Sequence, residues 1–286
     1  MDAHVEGVDR QVITRRALLS LLAMRQEWPF GFSFKGYPNW PLTKAFALTA
    51  QLGYTGVELF EPANINAKEA RDLSKKHRLP ILSVMEDLRL TGDEAAHLIR
   101  LEASLKLATQ IGKPIVETVV GAKPEDWPVI RPQFLARLKP WAALAEKYGV
   151  TIAIKAHIGS ALHLPEDAAA LCQEIGSPRI KINYDYSHFQ LQGLSLETTL
   201  NSALPHIAMI HIKDWTGTPE KFRFALPGEG SIDYTKYAAL LRKLNYRGPI
   251  VVEVSTHVLQ TPNYDPESAA RFVAENVLSK FRATAI

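Results

Sequence analysis

Eight short apolar runs, each followed by a polar loop and a segment of helical periodicity, constrain this chain more than any other feature. They read Phe30–Phe34 (FGFSF), Gly56–Phe60 (GVELF), Ile81–Met85 (ILSVM), Ile115–Val120 (IVETVV), Thr151–Lys155 (TIAIK), Ile180–Tyr184 (IKINY), Ala208–Ile212 (AMIHI) and Ile250–Val254 (IVVEV). The runs are mostly continuous rather than alternating, as parallel strands buried on both faces should be. Helical patterns fall at Leu42–Leu52, Ala67–His77, Glu94–Ile111, Pro132–Tyr148, Pro165–Ile175, Ser195–Leu204, Tyr234–Leu244 and Pro266–Phe281. Several open with start signals: Pro132, Pro165-Glu166-Asp167, Ser195 with Glu197, Asp233 and Asp265-Pro266. Glycines in LGYTG, IGKP, YGVT, IGSP and NYRGP punctuate the returns to strand. Eight such units predict a closed (β/α)8 TIM barrel. A doubly wound sheet would want a glycine-rich phosphate turn after its first strand, and FSFKGYPNW is not one.

The chain of 286 residues is normal for one such barrel, and no low-complexity linker divides it. Residues 29–286 are therefore expected to form one domain, with residues 1–28 as a short N-terminal helical extension. Arg15-Arg16 before a brief apolar segment resembles a twin-arginine export signal. Arg25, Gln26 and Glu27 interrupt that segment, so a cytoplasmic protein is the expectation and export the alternative. The single Cys172 excludes an intramolecular disulfide and fits a reducing compartment. A net charge of +3 without a basic block gives no reason to expect nucleic acid, and no apolar run is long enough for a membrane span. Self-association into a homo-oligomer is left open.

A barrel turns sequence position into geometry, because catalytic groups belong at the C-terminal ends of its strands. Those ends carry Glu58, Glu86 with Asp87, Glu117, Lys155 with His157, Asp185 with His188, His211 with Lys213 and Asp214, and Glu253. Asp185, His211 and Glu253 come from three adjacent staves and should converge above the barrel axis. Their mixed oxygen and nitrogen ligation suits a divalent ion: Mn²⁺, Co²⁺, Fe²⁺ or Zn²⁺ before Mg²⁺. Each has a bland alternative. Asp185 could simply cap the next helix and His188 could be a satisfied core histidine, whereas Glu253 lies between valines and must have a partner.

On GYTGVELF (53–60), NYDYSHFQLQG (183–193), MIHIKD (209–214), LPGEGSIDY (226–234) and YRGPIVVEVS (246–255), the chain resembles the xylose-isomerase-like TIM barrels. This sugar phosphate isomerase/epimerase group includes ketose 3-epimerases, inosose dehydratases and hydroxypyruvate isomerases. The resemblance implies a divalent metal held by a Glu from strand five, an Asp from strand six, a His from strand seven and a Glu from strand eight. Asp185, His211 and Glu253 match; the fourth position is Lys155, a departure from the pattern. The resemblance also implies that His188 and an Arg after strand seven, here Arg223, contact substrate oxygens. Glu58 and His157 occupy positions that often face the pocket, and Glu117 at the end of strand four joins them as a substrate-binding candidate.

Two accounts of Lys155 follow. It could leave the metal three protein ligands and act as an acid/base opposite Glu253, or its ammonium could replace the metal among the carboxylates. The expected function is a sugar or keto-sugar isomerase or epimerase. It would act by metal-assisted proton abstraction next to a carbonyl through an enediolate, with Mn²⁺ placed first among the ions. A lyase or dehydratase of a keto-sugar or keto-cyclitol on the same site is the alternative, and a non-catalytic sugar-binding barrel lacking metal is a second. A DNA-repair endonuclease shares the fold but needs a cluster of metals and a basic face, which the sequence does not offer.

Overall fold

The computed structural model describes residues 28–282, and the expected N-terminal helix with Arg15-Arg16 lies outside them. The barrel strands are β1 (Phe30–Ser33), β2 (Gly56–Phe60), β3 (Ile81–Met85), β4 (Ile115–Val119), β5 (Ile152–Lys155), β6 (Ile180–Asp185), β7 (Ile207–Ile212) and β10 (Ile250–Val252). They pair in parallel and in chain order, and β10 closes on β1. The (β/α)8 TIM barrel is thus present, with a hairpin of β8 (Asp214–Thr218) and β9 (Lys221–Ala225) inserted after β7.

The outer layer comprises α1 (Leu42–Gln51), α2 (Ala67–His77), α3 (Glu94–Gln110), α4 (Trp127–Tyr148), α5 (Pro165–Ile175), α7 (Leu196–Ala203), α8 (Tyr234–Lys243) and α10 (Pro266–Val273). Two short helices, α6 (Tyr186–Gln190) and α9 (Thr256–Leu259), follow β6 and β10 directly. Side-chain caps explain several starts: Ser195, Asp233 and Asp265 each accept a backbone N–H of the first turn. The expectation that α4 begins at Pro132 is corrected. The helix begins at Trp127 with Pro128 in its first turn, and Pro132 and Pro140 lie inside it. The final helical stretch also breaks, passing through a π-turn at Ala274–Leu278. No helix among the described residues is long and apolar enough to cross a membrane.

The barrel interior is graded along its axis. Ala153, Met209 and Val251 form a buried floor with Leu82, Ile115 and Ala208 packed against it. Leu82 crosses this floor where the β2–β3 pairing shifts register, and a Cβ on Gly56 would stand 2.6 Å from its Cγ. One pleat higher, each stave turns polar. Ile115 is succeeded by Glu117, Ala153 by Lys155, Met209 by His211 and Val251 by Glu253. The same period of two that packs the floor therefore delivers charged groups to the C-terminal mouth.

Candidate active site

Lys155, Asp185, His211, Lys213 and Glu253 meet at that mouth, all of them buried. Lys155 Nζ donates to Glu253 Oε2 at 2.7 Å, lies 2.7 Å from His211 Nδ1 and stands 3.5 Å from Asp185 Oδ2. Lys213 Nζ donates to Glu253 Oε2 at 2.7 Å and to Asp185 Oδ2 at 2.8 Å, and lies 2.9 Å from His188 Nε2. Two carboxylate oxygens are thus each shared between two ammonium groups. Asp185 does both things the sequence suggested: Oδ1 accepts from Ser187 N and Oγ as the cap of α6, while Oδ2 faces the lysines.

Beneath this layer sit Glu58 and Glu117. Glu58 Oε2 accepts from Ser83 Oγ at 2.7 Å and contacts His211 Nε2 at 2.8 Å, fixing the ring from below. Glu117 accepts from Asn183 Nδ2 at 3.0 Å. Both are sealed from solvent under the centre rather than lining the mouth. Glu86 faces outward and accepts from Ser104 of α3 at 2.6 Å.

Above the centre, a cavity of about 320 Å³ is lined by Lys35, His157, Lys213, Phe224, Glu253 and His257 among others. His157 Nδ1 is tied to the Ile158 carbonyl at 2.6 Å, and its ring packs 4.0 Å from that of His188. The Nδ1 of His188 is buried without a hydrogen-bond partner among the described residues. Phe224 covers Lys213, its ring 4.7 Å from Nζ. Along β9 the alternation presents Phe222 and Phe224 to the cavity and turns Arg223 out, where it donates to the His257 carbonyl at 3.0 Å. The structure does not bring Arg223 to the centre.

Lys213 is the residue that sequence reasoning left out of the site. Its signal was present: two positions after His211, the pleat continues past the end of β7 and points it inward. Neighbouring Asp214 instead organises the hairpin, accepting from Trp215, Gly228 and Ile232 N–H groups.

The electrostatics follow from this packing. Burial alone would push Glu253 and Asp185 up; the two lysines overcome it and hold Glu253 well below, and Asp185 below, the usual carboxylate range. Glu117 has no direct cation and is pushed up by burial. Burial opposes the charge on Lys155, but Glu253, Asp185 and Glu117 raise it above its ordinary value. Burial also lowers His211 while Glu58 lifts it, to about 9. These two shifts cannot hold together, because a doubly protonated ring would set its Nδ1–H against the ammonium at 2.7 Å. The lysine has three carboxylates around it, so we assign the proton there. Neutral His211 then donates through Nε2–H to Glu58 and accepts from Lys155 at Nδ1. Burial and the neighbouring lysines push His157 down to about 4; burial, His157 and the lysines hold His188 well below its ordinary value, so both rings are neutral near pH 7.

By residue type and convergence, Asp185, His211 and Glu253 could hold a metal ion, as could Glu58, Glu117 and His211; each trio offers ligand atoms within 4.8 Å of one another. The facing atoms of the first trio are already hydrogen-bonded, however. An ion at the usual ~2.1 Å from Glu253 Oε2 would lie within about 5 Å of both ammonium groups. At an effective dielectric of 20, repulsion between a divalent ion and each ammonium is on the order of 7 kcal/mol. With both lysines charged and in place, the donor set does not fit a divalent ion.

The profile described as xylose isomerase-like TIM barrel matches residues 46–276. The L-ribulose-5-phosphate 3-epimerase UlaE of Salmonella paratyphi C (strain RKS4594) is 21% identical over 245 residues, covering 84% of this chain and 80% of that protein. Inosose dehydratase of Lactiplantibacillus plantarum (strain ATCC BAA-793 / NCIMB 8826 / WCFS1) is 25% identical over 131 residues, 41% of this chain and 44% of that one. The alignment to the putative L-ribulose-5-phosphate 3-epimerase SgbU of Haemophilus influenzae is 27% identical and spans 36% of this chain and 37% of that protein. These latter two relatives are thus matched over less than half their length. Among solved structures, the 3-keto-D-glucoside 4-epimerase YcjR of E. coli superposes with a TM-score of 0.71 at 19% identity, covering 86% of this chain and 97% of that one. The zinc-bound IolI protein superposes at 0.74 with 18% identity, covering 90% and 100%. At these identities the superpositions show a shared fold.

Proposed function

The chain belongs to the xylose isomerase-like TIM barrel family, and on that premise we propose that it is a sugar or keto-sugar isomerase or epimerase. The observation that carries the reading is the convergence of Lys155, Asp185, His211, Lys213 and Glu253 below a cavity of about 320 Å³ at the barrel mouth. The reaction class is proton transfer at a carbon next to a carbonyl. UlaE and YcjR, both epimerases by name, support that class.

Among the cavity-lining residues Glu253 is the one carboxylate, and it takes the role of base. At rest its two ammonium contacts make it a weak one. As the enediolate oxygen develops it competes with Glu253 for the Lys213 ammonium. The carboxylate then becomes more basic as the proton is offered to it. Lys155, held as an ammonium by its neighbours, serves as proton donor or charge stabiliser rather than as base. His188 is fully buried behind the cavity wall; its Nε2 accepts from Lys213, so it acts by positioning that ammonium. His157 forms part of the cavity wall. Glu58 and Glu117 act from beneath by positioning His211 and Asn183.

A resident divalent ion, Mn²⁺ or another, draws support from the Asp185, His211 and Glu253 groups and from the zinc in IolI. The paired ammonium groups oppose it, and none of the steps above passes through an ion. A dehydratase reading has the inosose dehydratase relatives in its favour, because the same enediolate can expel a β-leaving group. Incubation with a panel of keto-sugars in D₂O separates the two. Deuterium at an isomerised or epimerised carbon is expected; an unsaturated product would assign the dehydratase reaction instead. No exchange with any substrate that demonstrably binds would refute proton abstraction.

A further inference from the structure

We propose that Lys155 and Lys213 together replace the divalent ion of this site, so that the protein works without a resident metal. The inference deepens the proposed function and rests on it only for the identity of the reaction.

Three observations carry it. First, the ammonium groups engage the very atoms a metal would use: both lysines donate to Glu253 Oε2, Lys213 donates to Asp185 Oδ2 with Lys155 3.5 Å from it, and Lys155 bonds His211 Nδ1. Second, both lysines are built into the site rather than draped over it. Each comes from a barrel stave, each is almost fully buried, and Phe224 lies over Lys213. Lys213 points its three N–H bonds at Asp185, His188 and Glu253, so carrying the whole ammonium out of the site would break all three. Third, the charges of the four ion-paired groups match. Asp185 and Glu253 supply two negative charges and Lys155 and Lys213 two positive ones. Glu58 behind His211 and Lys35 at 3.6 Å from Glu253 Oε1 lie outside that set. Lys213 also lines the cavity and can turn one N–H from Glu253 to an incoming carbonyl oxygen, doing the polarising work of a Lewis acid. The ligand class this favours is a ketone or aldehyde bearing an adjacent hydroxyl, held by hydrogen bonds rather than by chelation.

The test reads metal directly, so its outcome is independent of which reaction the protein runs. Untagged protein, purified without chelator, is assayed for bound metal and titrated calorimetrically with Mn²⁺ and Zn²⁺. Its thermal midpoint is followed as each ion is added. The expected result is sub-stoichiometric metal, no saturable heat and no rise in the midpoint. The double substitution Lys155→Glu with Lys213→Met removes both ammonium groups and supplies a further carboxylate. It is expected to bind Mn²⁺ at least ~100-fold more tightly than the parent, about 3 kcal/mol. Stoichiometric binding to the parent overturns the proposal, whatever the variant does. A folded double variant, verified by circular dichroism, that binds no ion overturns the claim that the lysines exclude it.

Discussion

Replacing Lys213 by Met tests the electrostatic account of the site in a way that packing cannot mimic. Methionine fills most of the volume of the lysine stem, so little cavity is left and the loss is that of the charge. Asp185 Oδ2 then keeps only the Lys155 ammonium at 3.5 Å, although its Oδ1 still caps α6. Glu253 Oε2 keeps Lys155 at 2.7 Å, with Lys35 3.6 Å from Oε1. Two buried carboxylates are left against one fully buried cation. Removing one partner of a buried pair costs about 3–5 kcal/mol, and the residual contacts place this case near the lower end, about 3 kcal/mol. Urea unfolding at pH 7 measures it. Adding Asp185→Asn to Lys213→Met restores charge balance, so the double variant should lose about 2 kcal/mol less than the two single losses together.

The acid limb supplies a second reading of the same substitution. Asp185 and Glu253 have folded-state values below their unfolded ones, so their stabilisation is present above about pH 4.5 and is lost as the pH falls below it. Without Lys213 those values rise toward the unfolded ones, and the stability of the variant should fall less steeply on acidification. A single variant that loses under about 1 kcal/mol, or a double variant that is strictly additive, would refute the argument that these charges are coupled.

Glu253→Gln keeps the size of the side chain but not its basicity. Steady-state assay on any substrate found should give kcat reduced about 10²–10⁴-fold, with deuterium exchange lost in parallel. Phe224→Ala opens the cavity wall and removes the ring over Lys213 while leaving every ion pair of the charged layer in place, so KM should rise about tenfold while kcat changes less. Gly230→Ala would drive a Cβ into Asp214 Oδ1 and the Trp215 carbonyl. Because Asp214 anchors the loop after β9, thermal denaturation should report a loss of about 2–3 kcal/mol, with activity falling as Lys213 shifts.

The barrel was legible because its staves are buried on both faces, and the sequence marks such strands with short apolar runs between turn signals. Even their ends were close: β2 and β3 fall where the sequence places them, and β7 begins one residue earlier, at Ile207. Proline misled at α4. Pro132 reads as a first-turn residue, yet the preceding Trp127-Pro128 supplies that signal and the helix tolerates the later proline inside. The β8–β9 hairpin went unread because its strands pack on the mouth rather than in the core. Thr216 and Thr218 alternate with Trp215 and Gly217 without an apolar face. The resemblance put Arg223 on the substrate as an arginine after strand seven, and without the hairpin nothing in the sequence opposed it. In an unstructured loop it could have reached inward, whereas on β9 the pleat gives the inward face to Phe222 and Phe224.

The site itself was half legible, for a reason that lies in how charge is distributed through a barrel. Position along a stave fixes which residues face the axis, so Asp185, His211 and Glu253 could be brought together from sequence spacing alone. Spacing also points Lys213 inward, but a lysine directly after a strand's apolar run reads as the first solvated residue of a loop. What distinguishes it is the partner set, and that set is three-dimensional: a carboxylate from β6, a histidine from α6 and a carboxylate after β10. Lys155 was recognisable as an anomaly on β5. It becomes intelligible only with Lys213, since one ammonium cannot balance Asp185 and Glu253 and two can. The unit to compare across relatives is therefore the pair. Relatives carrying a lysine at both positions should dispense with the ion. A relative that keeps a carboxylate at the β5 position has one ammonium fewer against the same two oxygens and one more ligand, and it should hold the ion.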